Sequence, residues 1–319
     1  MSWRKLEKEW CLQTVAQLVE ELLAELPGNA LNSSKRYKYI AERLKKVAGR
    51  SVWVIAQHIG RSKFEPLGHE LGFGANDKLP PITIELKSGE KIILNGRIDR
   101  IDTMKTGEGT YVRIIDYKSG SKKFKLSDVY HGLQIQLITY LDALWEKGVG
   151  DIEGPVIPAG MLYFKLDDPM IRGSRESDTE KIEKEIMKQL KMKGLVLSNV
   201  ELIKNMDELI DGDSDIIPAR INKDQTLGRS SAASLEQFEQ LRRHVKSILT
   251  KLGEEIIDGS ISITPYKKNK AIPCSYCNYM SICQFDTRLK GNKYRSLQDK
   301  KDNEVWEMLG ADSGQGGDK

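Results

Sequence analysis

Gly96-Arg97-Ile98-Asp99-Arg100-Ile101-Asp102 and Ile114-Ile115-Asp116-Tyr117-Lys118-Ser119-Gly120 are the two stretches whose reading decides the fold. Both have the composition of strands, and the second is an apolar run that ends abruptly in charge. Side chains alternate along a strand, so Asp116 and Lys118 leave one face while Tyr117 leaves the other. The loop Lys105-Thr106-Gly107-Glu108-Gly109 joins the stretches as a hairpin, and antiparallel pairing brings Asp99 alongside Asp116. Two carboxylates and a lysine then converge at a sheet edge, where sites are built. Carboxylates this close repel unless a cation neutralises them. Hard oxygen donors, completed by a backbone carbonyl and waters, suit Mg2+ or Mn2+. Such an ion polarises a phosphoryl oxygen and lowers the pKa of a bound water. Lys118 is placed to orient that water or to stabilise charge in the transition state. A bare Asp-x-Lys is common on surface hairpins; the buried approach through residues 112–115 separates this one from them.

Outward from the hairpin, the period changes. A helix is predicted from about residue 127 to 146, with Gln136 and Tyr140 one turn apart on one face and Leu133, Leu137, Leu141 and Leu144 on its neighbour. A strand follows from about 159 to 165. Upstream, residues 3–26 and 35–59 read as amphipathic helices, the second capped by Ser33-Ser34 and closed by Gly60. Residues 67–73 and 82–86 read as strands, and Ser88-Gly89 turns the chain into 91–102. Residues 167–228 alternate charged helical segments with Gly, Ser and Asp, and read as an insertion on the edge of the core. A helix is predicted over 233–257, and an irregular tail from Gly310. The resulting division is an N-terminal helical segment (1–62), a core (63–166), the edge insertion (167–228), a C-terminal helix with a cysteine segment (229–290) and a partly disordered tail (291–319).

At 319 residues the chain is long enough for two domains or one enlarged one. Its 50 basic and 46 acidic residues leave a formal charge of +4, which is silent about partners, but the charge is not evenly spread. Lys118, Lys122, Lys123 and Lys125 follow one another without an acid, and residues 259–296 carry Lys267, Lys268, Lys270, Arg288, Lys290, Lys293 and Arg295 against Asp286 alone. Runs of this kind can track a phosphate backbone. Lys122, Lys123 and Arg100, which flank the acidic hairpin, are the candidate DNA contacts. Apolar runs such as Ile92-Ile93-Leu94 are far too short to span a bilayer, so no membrane is expected. Four cysteines are too few for a disulfide scaffold. The start Met1-Ser2-Trp3-Arg4 has no secretory character, which makes the cytoplasm the default compartment. No Gly-x-x-x-x-Gly-Lys-Ser/Thr motif occurs.

Three of the cysteines crowd together: Cys274-Ser275-Tyr276-Cys277, and then Cys283. A Cys-x-x-Cys pair can grip one metal from a single turn, and a third thiolate can close the site. Tetrahedral zinc and an iron–sulfur cluster would each use four such ligands, and spacing does not separate them.

Gly96-Arg97-Ile98-Asp99, Asp116-Tyr117-Lys118-Ser119-Gly120 and Gln136-x-x-x-Tyr140 resemble, in order and spacing, the RecB-type branch of the PD-(D/E)XK nucleases. Glu70-Leu71-Gly72-Phe73-Gly74, Tyr163-Phe164 with Asp168-Pro169-Met170-Ile171, and Ile263-Thr264-Pro265-Tyr266 with the cysteines are similar to the nuclease region of the AddB family. Its members are one of the two chains of the bacterial AddAB helicase–nucleases. The resemblance runs from about residue 30 to residue 287. It implies an α/β, restriction-endonuclease-like core: a mixed central sheet flanked by helices, with a helical N-terminal segment and a C-terminal cysteine segment. It implies that Asp99, Asp116 and the Tyr117 backbone carbonyl bind Mg2+ (or Mn2+), that Lys118 is catalytic, and that Gln136 and Tyr140 form a third motif. It also implies a [4Fe-4S] cluster on Cys274, Cys277 and Cys283, with zinc as the alternative. The activity implied is exonucleolytic cleavage of DNA, on the 5′-ended strand, during double-strand break repair by homologous recombination, with AddA as heterodimer partner. The alternative is a catalytically weak or inactive nuclease-fold module that binds DNA or the partner subunit.

The family's fourth cysteine is an upstream one in a Cys-Pro context, which Cys11 lacks, and no Gly-x-x-x-His segment stands where the family's metal-binding histidine lies. The chain therefore reads as a C-terminal portion of a longer polypeptide. His58 and His69 read as structural or surface residues, with Glu70 beside His69.

Overall fold

The computed structural model describes residues 3–25, 34–120, 123–148, 154–171 and 178–314. Helices α1 (Lys8–Ala24) and α2 (Lys35–Gly60) lead into strands β1 (Glu65–Phe73), β2 (Ile82–Glu85), β3 (Lys91–Leu94), β4 (Gly96–Thr106) and β5 (Gly109–Lys118). Next come α3 (Leu126–Tyr130), α4 (Gln136–Lys147), β6 (Val156–Lys165), α5 (Thr179–Leu190), β7 (Lys193–Leu197) and α6 (Val200–Met206). They are followed by β8 (Ala232–Ala233), α7 (Leu235–Ile257), β9 (Tyr266–Lys268), α8 (Met280–Cys283), β10 (Arg295–Leu297) and α9 (Asp302–Gly314). The chain forms two compact units, one of Met1–Pro80, Asn95–Phe124 and Tyr140–Glu236, the other of Pro81–Leu94, Lys125–Thr139 and Gln237–Lys319.

The first unit is built on a six-stranded mixed sheet of order β1-β4-β5-β6-β7-β8. β4 pairs antiparallel with both β1 and β5, β6 runs parallel to β5, and β7 runs antiparallel to β6. β5 and β6 are buried almost throughout, Thr110 to Asp116 in the one and Pro158 to Phe164 in the other, as central strands covered on both faces are. Gly96 opens β4 because the ring of Phe73 occupies the space where a Cβ would sit, 2.5 Å from the nearest ring atom.

α2 begins at Ser34, whose hydroxyl accepts from the Tyr37 N–H at 3.3 Å as an N-cap. Beside Phe164, His58 of this helix is buried, their rings meeting edge-on with centroids 5.3 Å apart. A buried charge network shares its surroundings. Arg100 donates to both oxygens of Asp102, at 2.6 and 2.7 Å, and Arg113 donates to the same carboxylate at 2.9 Å while lying over the Phe64 ring. Burial pushes the Asp102 carboxyl up, but the two guanidiniums outweigh it and hold the group below the ordinary carboxylate range. Burial, with Arg100 and Arg113 adding to it, drives His58 well below its ordinary value, so its ring is neutral.

The second unit contains the β2–β3 hairpin, the parallel pair β9–β10, and helices α3, α7, α8 and α9. Tyr130 stacks on His244, with centroids 4.9 Å apart, and Lys268 is paired with both Asp128 and Asp299. Lys268, with Asn269, draws Asp299 down to about 2.

Four sequence readings change. The helix expected over 127–146 is two, α3 and α4, because the Leu133 N–H and the Gln134 side chain turn back onto Asp128. Residues 193–197, read with the edge insertion, are a strand of the central sheet, buried over 194–197 and paired with β6 over 193–196. The tail is helical to Gly314, with Val305 and Leu309 buried; residues 315–319 lie outside the described part. α1 forms as expected, but Trp10, Leu18 and Leu22 on it are exposed and Cys11 is its buried residue.

Candidate active site

The β4–β5 register runs Asp102↔Arg113, Ile101↔Ile114, Arg100↔Ile115. One further step sets Asp99 opposite Asp116, and opposed residues of an antiparallel pair share a face. The Asp99 carboxylate accepts from the Tyr117 N–H at 2.7 Å, so it reaches the backbone immediately beyond Asp116. Asp116 is buried, and its Oδ2 lies 2.5 Å from the Lys118 ammonium. The expected convergence of two carboxylates and a lysine thus has a geometric basis in strand pairing.

β6 adds to it. Its parallel register sets Tyr163 beside Asp116, Phe164 beside Tyr117 and Lys165 beside Lys118. The Lys118 ammonium sits over the Tyr163 ring, 5.6 Å from its centroid, a cation–π contact. Burial, with Asp116 and Tyr140 adding to it, pushes the Tyr163 phenol up to about 12, so it stays protonated. Tyr140 is buried and meets Phe73 edge-on at 5.3 Å. Tyr163 and Lys165 were not singled out as site residues in the sequence. The signal was present: β5 ends Asp-Tyr-Lys and β6 ends Tyr-Phe-Lys, and parallel neighbours ending alike place like positions side by side.

The remaining candidates divide. Gln136 is the first residue of α4 and exposed; it belongs to the second unit, whereas Tyr140 belongs to the first. Lys123 is exposed, and Lys122 lies outside the described residues. Arg100 is a correction: it is 1 % exposed and spent on Asp102, on the face away from Asp99, so no DNA backbone can reach it. His69 is exposed and near Trp3, and Glu70, in the left-handed region at φ 50°, faces Arg97 at 3.6 Å.

The donor types fit a hard divalent ion: Asp99 and Asp116 stand at opposed positions of β4 and β5, and the buried Asp116 is charge-compensated by Lys118. The cysteines fit their proposed group less well. Cys274 is partly buried in a short 3-10 turn, while Cys277 and Cys283 are exposed. Among the described residues no three Cys, His, Asp or Glu side chains come together as a metal cradle. Cys11 is fully buried, and burial pushes its thiol up, away from the thiolate a metal needs. The chain's own cysteines therefore do not fit a four-thiolate cluster.

Comparison with known proteins gives the family. The chain is 56 % identical over 310 residues to the B subunit of the ATP-dependent helicase/deoxyribonuclease of Acetivibrio thermocellus, covering 97 % of this chain and 27 % of the relative. The proteins of the same description from Ruminiclostridium cellulolyticum and Clostridium novyi are 55 % and 51 % identical over 97 % and 96 % of the chain. In each case the chain spans 27 % of the relative's length. A family model described as the PD-(D/E)XK nuclease superfamily matches residues 3–284. With that match, and with the acidic pair and its lysine on adjoining strands, the chain belongs to the PD-(D/E)XK nuclease superfamily.

Proposed function

We propose that this chain is a divalent-metal-dependent deoxyribonuclease module that hydrolyses DNA phosphodiester bonds exonucleolytically, on the 5′-ended strand. Its setting is a helicase–nuclease that processes double-strand breaks for homologous recombination in the cytoplasm, with AddA as partner subunit. The observation that carries the reading is the placement of Asp99, Asp116 and Lys118 on one sheet face. Similarity to helicase/deoxyribonuclease chains supports the substrate. Among the described residues no helix is long and apolar enough to cross a membrane.

Asp99, Asp116 and the Tyr117 carbonyl would hold Mg2+ or Mn2+, which when bound supplies Lewis acidity to the phosphoryl oxygen and acidity to the attacking water. The Tyr117 N–H fixes the orientation of Asp99. Lys118, held by Asp116 and by the Tyr163 ring, offers its charge where negative charge grows on the phosphorus oxygens. Tyr163, kept protonated, can donate a hydrogen bond but cannot act as a base. The third motif, Gln136 and Tyr140, would contact the DNA backbone or buttress the lysine.

A second reading, a nuclease-fold module that binds DNA or its partner without cutting, draws on the cysteines that do not converge. Cys274, Cys277 and Cys283 would serve an iron–sulfur cluster, or zinc, only with a ligand from beyond the described residues.

Linear DNA incubated with the purified chain and Mg2+ separates the two. The wild type is expected to degrade it, with EDTA stopping the reaction and Asp116→Ala slowing it at least about 100-fold. Equal loss of DNA with both proteins would assign the activity to a contaminant and leave the binding reading standing.

A further inference from the structure

Beside Lys118 the first unit holds a cavity of about 220 Å3 walled by Lys118, Lys123, Lys165, Lys191 and Lys193, with Tyr163 and Gln189 between them. Its walls come from several elements. Lys118 and Lys165 end the paired strands β5 and β6, and Lys123 follows β5. Gln189 lies in the last turn of α5, and Lys191 and Lys193 lead into β7. The segment 189–193 lies in what the sequence presents as an edge insertion, yet the sheet topology carries it to the edge where Asp116 and Lys118 stand.

Five ammonium groups around one small cavity repel one another, and the arrangement is favourable only with compensating anions. Part of that compensation is internal: Lys118 is paired with Asp116 and Lys165 with Asp167, each at 2.5 Å. Among the described residues no carboxylate lines the cavity itself, although Lys123 also has a partner. Lys193 is exposed, and Lys191 is half-buried. Burial pulls the Lys191 ammonium below the ordinary lysine range, against the opposing pull of Asp213, Asp215 and Asp207. An anion arriving in the cavity would restore what burial takes away.

We propose that this lysine basin seats a backbone phosphate of the DNA strand next to the phosphate being cut, with Lys191 and Lys193 as positioning residues. The inference rests on the nuclease reading and names how the same site holds its substrate. Lysines act on phosphate as point charges, and the Gln189 amide and Tyr163 hydroxyl add neutral donors. The lining offers charge and no exposed aromatic face for a base, so the basin reads backbone and not sequence. Lys118 belongs to both places. A phosphate in the basin therefore lies one side chain away from Asp116, which sets the register of the strand against the acidic pair.

The test uses the whole chain and a fluorescent single-stranded oligonucleotide, bound in EDTA and followed by anisotropy across a NaCl series. Lys191→Gln/Lys193→Gln is expected to weaken binding at least fivefold at low salt and to make the salt slope shallower by about 1. In Mg2+ the same variant should raise KM with kcat little changed. Lys193→Gln alone, at an exposed position, should show the same trend and guards against misfolding of the double variant. Lys105→Gln, at the exposed end of β4, should change nothing. An unaltered salt slope and KM in the double variant would overturn the basin. Asp116→Asn keeps the two claims apart: with the counter-charge of Lys118 removed it should bind at least as tightly as the wild type without cutting, and cutting by that variant would instead overturn the nuclease reading.

Discussion

Asp99 and Arg100 are neighbours in sequence and strangers in the fold. Strand alternation sends Asp99 to the face it shares with Asp116 and Lys118, and sends Arg100 into the core against Asp102. The same parity rule that makes Asp116 and Lys118 legible as partners rules Arg100 out as a surface cation, and a reading that counts charge by proximity alone misses it. The network around Arg100 has a consequence for pH. His58 is buried beside the two guanidiniums, and its pKa is depressed well below the ordinary value. The unfolded chain takes up a proton near pH 6.5 that the folded chain refuses, so stability is fully present above that pH and falls as the pH drops below it. The expected contribution is about 1.4 kcal/mol per pH unit below pH 6.5. Urea titrations between pH 7.5 and 5 should find that component in the wild type and not in His58→Gln. The same slope in both would assign it elsewhere.

At the level of elements, the hairpin β4–β5 was legible because two signals coincide there: an apolar run that ends in charge and a glycine-containing turn. β7 was not. Lys193 continues the charged pattern of α5, and the strand itself is short, so helical charge periodicity masks it. The feature that marks the change is Gly194, whose φ of 152° is left to glycine, and a Cβ there would meet the Met161 carbonyl oxygen of β6. Gly194→Ala should therefore loosen the β6–β7 pairing and destabilise the first unit by about 2 kcal/mol or more, read as a lowered urea midpoint. Hydrogen exchange in that variant should speed up first at residues 193–197. A variant as stable as the wild type would mean that β7 does not lie against β6 as described. The interruption between α3 and α4 was hidden for a different reason: apolar spacing carries through it, and the turn is made by hydrogen bonds to Asp128 that no periodicity reports.

For the whole molecule, fold class and acidic site follow from local patterns, while the arrangement of the cysteines does not. Cys-x-x-Cys spacing predicts a metal cradle, but the three clustered thiols, two of them exposed, with the fourth cysteine, Cys11, buried in α1, leave such a cradle short of a ligand. The chain spans 27 % of the length of the three relatives named above. Asp99, Asp116 and Lys118 all lie in one unit of this chain, although no Gly-x-x-x-His segment supplies the histidine that the family resemblance implies. Our proposal that the acidic pair holds an ion is testable by counting ions. Mn2+ titrated into the purified chain and followed by electron paramagnetic resonance should fill one site in the wild type and none of comparable affinity in Asp99→Asn/Asp116→Asn. An unchanged site in that double variant would contradict the account at its centre.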